Sequence, residues 1–470
     1  MKSKKYIIFS SLSLTVLMLL SGCADYLDLK PLDRISDAQT IFDKTSSEAA
    51  VRGVYSALGG GGYYGTTFQS IGYLSGDNVQ WTGSQSQVQE FINHKVNADN
   101  STVAGAWSAI YQTILRANHV IQKIPLVPAD PTFSTTFRNH LTGEGYFVRG
   151  LAYFDLARTW GGVPIITQPT QTPGDNIGIL RSTQAEVYAQ AIKDLDAAEL
   201  LLSEPTTVLV TSTTAQGAVP TDRYRATKKT VWALKSRFYL YQSDWAKAES
   251  YATLIIGNTT NYRLIAPYSS WFASNARGTV ESILETWYNG TTETNGHRGQ
   301  WQPQQNGGTR QWAPNDAFVA LINNATIGGN RNTSNVLVAK DNQNRNYGNL
   351  YYRNPGSDPS YIIRIAELFL IRAEARARQN LLTLAADDLN AVRTRAGLGN
   401  TTAATQADLL LAIENERRVE FAFESDRWFD LVRTGRAGVV LGITDPRRYL
   451  MPIPAAQRLL DPSLTQNDPY

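Results

Sequence analysis

One pattern recurs three times in this chain and limits its fold more than any other feature. A helix-forming run rich in Ala, Tyr and Phe, bearing an Arg, is followed after a break by a second helix-forming run. It occurs at 145–165 with 185–202, at 230–256, where Asp244 opens the second helix, and at 363–380 with 385–397. Small residues on facing sides let two helices approach closely, and large rings fill the gap to the next pair, which is the logic of tetratricopeptide-like stacking. The spacing between pairs is irregular. The expected fold is therefore mainly α, with tetratricopeptide-like helix pairs interrupted by long loop-rich insertions.

Two further helices precede these pairs. Thr45 and Glu48 form a capping box ahead of Val51, Val54 and Leu58, and the run GGGGYYG from Gly59 ends that helix. Ser101 caps a longer one, whose apolar stripe from Val103 through Trp107, Ile110 and Ile114 to Ile121 advances by three and four residues until Pro125 stops it.

The insertions, around 59–100 and 287–360, have a different character. From Tyr288 to Gln311 there is no Ala, Val, Ile, Leu, Met or Phe, but there are five Gln, five Gly and Trp301, with Trp287 and Trp312 at the ends. Residues 323–354 add ten Asn, and 203–222 form a Ser/Thr-rich loop. Such stretches cannot make an amphipathic helix, and loops this long within an ordered domain are usually either functional or disordered.

At the other end of the chain, Lys2, Lys4 and Lys5 precede an apolar run from Tyr6 to Leu20, too short for a spanning helix, that leads into Leu20, Ser21, Gly22 and Cys23. This reads as an export signal over 1–22 whose four-residue end resembles the bacterial lipobox. Cys23 is the expected lipidation site and mature N-terminus. Two or more acyl chains there would anchor the protein stably. Residues 23–44 read as a tether and 45–470 as a single helical domain with ligand-binding insertions.

Composition sharpens this picture. Cys23 is the only cysteine, so an exported chain of this kind cannot lean on disulfides. Removing the three lysines of the signal from 44 basic residues leaves 41 against 41 acidic ones. A balanced surface gives no long-range field for phosphate backbones, which excludes nucleic acid as an expected partner. Ten Trp and 23 Tyr on a weakly charged exported protein suit neutral polar ligands.

An enzymatic reading has one foothold. Glu416 and Glu420 lie four apart on a helix, and a carboxylate pair is what a glycosidase needs. Arg417, Arg418 and Arg427 are interleaved with Glu416, Glu420 and Glu424, so an ion network bracing packed helices explains the same residues. The four histidines have no metal-ligand spacing, and no nucleophile elbow or phosphate-binding loop is present. No catalytic residue, metal or cofactor is expected.

Aromatic residues on loops are the stronger signal. A sugar ring presents an apolar C–H face and a rim of hydroxyls, so its site needs a flat ring beside Asn, Gln, Asp or Arg. Trp81 has Asp77 and Asn78 close by, while Trp301 and Trp312 lie among Gln residues and Arg310. These six residues form the expected ligand site, with Trp81 and Trp301 as stacking platforms. Trp287 and the Tyr63–Tyr64 pair are weaker candidates. Trp107, Trp232, Trp245 and Trp428 fall in helical stretches and read as core.

The C-terminal third adds a family resemblance. ERRVEFAFESDRWFDLVRTG (416–435) and YLMPIPAAQRLLDPSLTQNDPY (449–470) are similar to two blocks of the SusD/RagB family of Bacteroidetes outer-membrane lipoproteins. RIAELFLIRAEA (364–375), RGLAYFDLARTWGGVPI (149–165) and the tether residues YLDLKP (26–31) extend the resemblance along the chain. Ser425 and Asp426 replace the usual Gly and His, Gln457 replaces an acidic residue, and the chain ends in DPY where the family has NPGY. The resemblance implies four tetratricopeptide-like helix pairs and a loop-rich face that holds an oligosaccharide, or a peptide in the RagB branch. It also implies a surface lipoprotein without catalytic activity, serving as the lid of a SusC-type TonB-dependent transporter. The loops carry few aliphatic residues and little net charge, which disfavours a peptide groove.

Overall fold

The computed structural model describes residues 40–172, 174–203, 223–273 and 277–470, together with the backbone of 212–214 and 217–219. The signal, Cys23, the tether through residue 39 and most of the Ser/Thr-rich loop lie outside the described residues.

From Asp43 onward the chain forms one unit, built mainly of helices. Helix α1 (Lys44–Leu58) is followed by α2 (Thr67–Leu74), α3 (Ser86–Ile92) and the long α4 (Ser101–Lys123) and α5 (Thr135–Trp160). Next come α6 (Gln184–Leu201), α7 (Lys228–Tyr241) and α8 (Trp245–Ile256). After the long insertion, which holds α9 (His297–Trp301) and α10 (Asp316–Asn323), the chain resumes with α11 (Ile365–Arg378), α12 (Leu382–Arg395), α13 (Gln406–Glu420) and α14 (Arg427–Arg433). The pairs α1/α4, α5/α6, α7/α8 and α11/α12 pack side by side in that order.

The start signals act one or two residues from where the sequence suggests. Asp43, not Thr45, caps α1 through a reciprocal box with Ser46, and Asn100, not Ser101, caps α4 by accepting from the amides of Thr102 and Val103. Each oxygen satisfies amides that the first turn leaves without partners. Asp244 caps α8 by accepting from Lys247 N, as expected.

Close approach and paired charge hold the stack together. A Cβ on Gly145 would sit 2.7 Å from Val120 of α4, and one on Gly150 would sit 3.0 Å from Leu195 of α6, so glycine lets α5 pack tightly on both sides. The recurrent arginine of each pair reaches a carboxylate on a neighbouring helix. Arg149 forks onto Asp194 at 2.8 and 2.7 Å, Arg237 onto Glu367 at 2.7 and 2.5 Å, and Arg372 onto Asp388 at 2.9 and 2.7 Å. Bidentate geometry fixes both distance and orientation between helices. Ala366, Leu370, Ala373, Ala377, Leu389, Val392 and Ile413 form an aliphatic core among α11, α12 and α13.

Trp107 and Trp428 are core, as expected. Trp232 and Trp245 are only half-buried: the Trp232 indole donates to Glu199 Oε1 at 2.8 Å, and Arg378 stands over the Trp245 ring.

The interleaved charges of the C-terminal block do brace helices, but not with one another. Glu416 and Glu420 meet Arg331, from the insertion, and Glu420 also meets Arg364 and Arg395. Glu424 accepts two hydrogen bonds from Arg364, at 2.8 and 2.6 Å. Arg417 pairs instead with Asp426 and Asp430, at 2.6 and 2.9 Å. Burial would raise the Glu420 carboxyl, yet Arg395, Arg331 and Arg364 hold it down to about 2.

Candidate functional site

The insertions form a layer built on short strands. In chain order, β1 (Val79–Trp81) is followed by the pair β2 (Ser212–Thr214) and β3 (Gly217–Val219) and by β4 (Ser282–Glu285), which pairs with β8 (Tyr361–Arg364); β1 itself runs antiparallel to β5 (Trp312–Pro314), with Trp81 opposite Trp312. β6 (Val338–Lys340) and β7 (Asn346–Gly348) make a hairpin, and β7 lies beside β5.

Beneath these strands is a buried aromatic cluster. Trp301 packs on Phe423, Tyr73 and Trp312 with ring centroids 4.6, 5.4 and 6.0 Å away. His297 stacks on Tyr351 at 4.5 Å and hydrogen-bonds the Tyr73 hydroxyl through Nδ1 at 3.1 Å. Burial pushes the His297 imidazole down to about 3, so it is neutral at ordinary pH. A Cβ on residue 348 would lie 2.6 Å from the Trp301 ring, so Gly348 is what lets β7 lie flat against it.

Several expected site residues belong to this framework. Trp301 is 1% exposed and Trp312 6%, so neither ring is a surface platform. With no aliphatic side chain from 288 to 311, these rings supply the core of their own layer. Asn78 is likewise buried, accepting from Arg418 Nε at 2.8 Å and donating to the Arg418 carbonyl at 3.1 Å. Asp77 is bound by Arg427 at 2.7 Å and Arg418 at 3.2 Å. Burial would raise its carboxyl, but these two arginines win and lower it. Tyr63 and Tyr64 are buried and donate to Asp155.

Trp81 and Arg310 keep open surface. The Trp81 ring is half-buried and leans over Gly83, where a Cβ would come within 2.3 Å of it. Arg310 adopts a left-handed backbone, with φ of 49°, and its Nε donates to the Asn346 carbonyl at 2.8 Å. Desolvation, aided by the Arg345 charge, lowers its pKa from the ordinary value. The Thr82 hydroxyl donates to the Arg310 carbonyl at 2.6 Å, which ties the Trp81 strand to the 302–312 segment.

On the other side of β7 opens a groove of about 640 Å³. Tyr347 and Tyr352 give it flat walls, and Gln305, Asn306, Asn349 and Asn354 give it amide donors and acceptors. Buried Gln302 braces its floor, accepting from Asn306 Nδ2 at 2.9 Å and donating to the Gly348 carbonyl at 3.3 Å. Arg298 lines the groove as well, and no aliphatic side chain does. Rings beside dense amide groups can stack on a sugar and meet its hydroxyls.

Sequence reasoning placed no individual groove residue. The available signal was the concentration of Asn at 323–354, of which Asn349 and Asn354 face the groove.

Glu416 and Glu420 are buried and matched to arginines, so this carboxylate pair is structural. With a pKa near 2, Glu420 holds no proton for a leaving group.

Comparison with known proteins agrees on one family. A family model described as "Starch-binding associating with outer membrane" matches residues 25–240, and the SusD family model matches 265–442. SusD-like protein P38 of Formosa agariphila is 25% identical, covering 98% of this chain and 99% of that protein. A SusD-like protein of Bacteroides ovatus is 24% identical over 92% of this chain and 82% of its own. Among solved structures, a laminarin binding SusD-like protein superimposes with a TM-score of 0.77 at 23% identity, covering 91% of this chain and 100% of its own. A SusD superfamily protein of Bacteroides vulgatus gives 0.76 at 23%, covering 91% and 99%. These solved structures share the fold of helix pairs and inserted loops. The chain belongs to the SusD family.

Proposed function

We propose that this protein captures oligosaccharide on its loop layer, with Trp81 as an exposed stacking ring and the groove beside β7 as the polar subsite. The observation that carries this reading is the groove's lining, in which tyrosine, asparagine and glutamine replace every aliphatic side chain. The starch-binding description of the family model and the laminarin-binding structural neighbour support it. In the same reading Cys23 is acylated, the protein sits at the outer membrane facing the cell surface, and it hands its ligand to a SusC-type TonB-dependent transporter as a lid. Catalysis has no part in this role.

Calorimetric titration of the form lacking residues 1–23 with oligosaccharide panels tests the capture step. Binding that weakens in Tyr352→Ala or Trp81→Ala while the thermal melt is unchanged supports the site. Binding unaffected by either change refutes it. Cys23→Ala is expected to leave a folded protein that no longer sediments with membranes in cells lacking the transporter. New reducing ends after incubation with polysaccharide would argue for hydrolysis instead.

A further inference from the structure

We infer that the groove holds its glycan by an acidic substituent, a carboxylate or a sulfate ester, gripped by Arg298; this rests on the reading of the groove as the glycan site. Arg298 is the one charged residue in the groove's lining. The residue is 9% exposed, and among the described residues it forms no ion pair with a carboxylate. The helix stack treats buried arginines differently: Arg149, Arg237 and Arg364 are each matched to acids. A buried guanidinium without a counter-charge is unfavourable, and an anionic ligand would relieve that.

The geometry prepares Arg298 for such a ligand. Its Nη2 donates to the Asn306 carbonyl, which orients the planar group, while its Nε has no partner. Gly307, left-handed with φ of 80°, stands next to it, and a Cβ there would lie 3.7 Å from Nη1. Glycine thus keeps the approach to the guanidinium clear. Two parallel N–H groups match the paired oxygens of a carboxylate or sulfate. Amides of Asn306 and Asn349 remain beside it for neutral hydroxyls.

Outside the lining, the neighbouring strands carry charge of the same sign. Arg310, across β7, is held by a backbone carbonyl and meets no carboxylate among the described residues. Lys340 is exposed on the β6–β7 hairpin. The acid of that hairpin, Asp341, is already taken by Arg345, which donates to it at 2.8 Å. The balanced charge of the whole chain therefore does not extend to this groove.

The test is calorimetric titration of the mature protein with oligogalacturonate, a sulfated galactan oligosaccharide and laminari-oligosaccharide, plus the carboxyl-reduced and desulfated counterparts of the first two. At least one acidic probe should bind roughly tenfold or more tightly than its neutralised counterpart, the size of one charge-assisted hydrogen bond. Whether the reduced or the desulfated counterpart loses affinity identifies the group. Arg298→Gln should abolish the preference and Arg298→Lys should retain part of it, with thermal melts confirming folding. Should Arg298→Gln not fold, rising salt must weaken the parent's binding of the acidic probe and leave its neutral counterpart unaffected. Equal affinity for acidic and neutralised forms, or a preference that survives Arg298→Gln, overturns the acidic-group assignment and leaves glycan capture standing. No binding of any probe overturns glycan capture itself.

Discussion

The helix stack and the loop layer solve the same packing problem with different materials. In the stack, alanines and branched aliphatics interdigitate and arginines lock neighbouring helices to carboxylates. In the loop layer the core is led by rings, Tyr73, His297, Trp301, Trp312, Tyr351 and Phe423, with only a few aliphatics such as Ile322, Leu337 and Leu350 buried beside them. The difference follows from backbone regularity. A helix offers a residue every 3.6 per turn to a facing groove, so small side chains fill it well. An irregular loop offers few inward positions, and each must bury a large area, which favours Trp and Tyr. A layer whose rings are used inward keeps its amides outward, and those amides line the groove.

The sharpest test of this contrast is in the charged lock of the stack. Glu420→Ala leaves Arg331, Arg364 and Arg395 short of a shared buried partner and should cost about 3–5 kcal/mol of stability, read by denaturant unfolding. A loss below about 1 kcal/mol would show that the network contributes little. On the loop side, Trp301→Ala should cost a similar or slightly smaller amount, about 3–5 kcal/mol, through the cavity it leaves. If that variant melts like the parent, the rings are not the core of their layer.

Acid separates the two regions by a different route. Glu420 is held at about 2 from an ordinary value of 4.5, so its stabilisation is complete above about 4.5 and lost as pH falls toward 2. The loss amounts to roughly 3 kcal/mol. His297, held neutral by burial down to about 3, adds a loss of its own as pH falls from the ordinary 6.5 toward 3, because the unfolded imidazole takes up a proton that the folded one refuses. Stability followed from pH 7 to 2 should begin to fall near 6.5 through His297 and more steeply below 4.5, and Glu420→Gln should flatten only the lower part of that fall. The smallest effect is expected on the surface: Trp81→Ala should weaken glycan affinity by about 1–3 kcal/mol, by analogy with ring stacking on bases, without moving the melt.

The helix pairs were legible because a period of 3.6, small residues at contact faces and a recurrent Arg all speak of the same element. Which acid each Arg meets was less so. Arg417, Arg418 and Arg427 stand next to glutamates in sequence, yet Arg417 turns to Asp426 and Asp430, while Arg418 and Arg427 reach Asp77. The element each side chain packs against, not proximity along the chain, decides such pairs. The loop tryptophans misled for a related reason. Polar neighbours surround Trp301 in sequence, but polarity of neighbours does not say which way a ring points. Only the lack of any aliphatic alternative between 288 and 311 hinted that Trp301 and Trp312 had to serve as core. Trp81 differs because β1 ends with it beside exposed Thr82 and Gly83.

The clamp on Asp77 has a temporal meaning. Its carboxylate is held by Arg427, 350 positions further along the chain, and Asn78 by Arg418, 340 positions along. The strand that presents Trp81 thus hangs from residues synthesised long after it. A nascent N-terminal half has the indole but not its mooring. The surface around Trp81 is therefore completed only after the far end of the helical domain has been made.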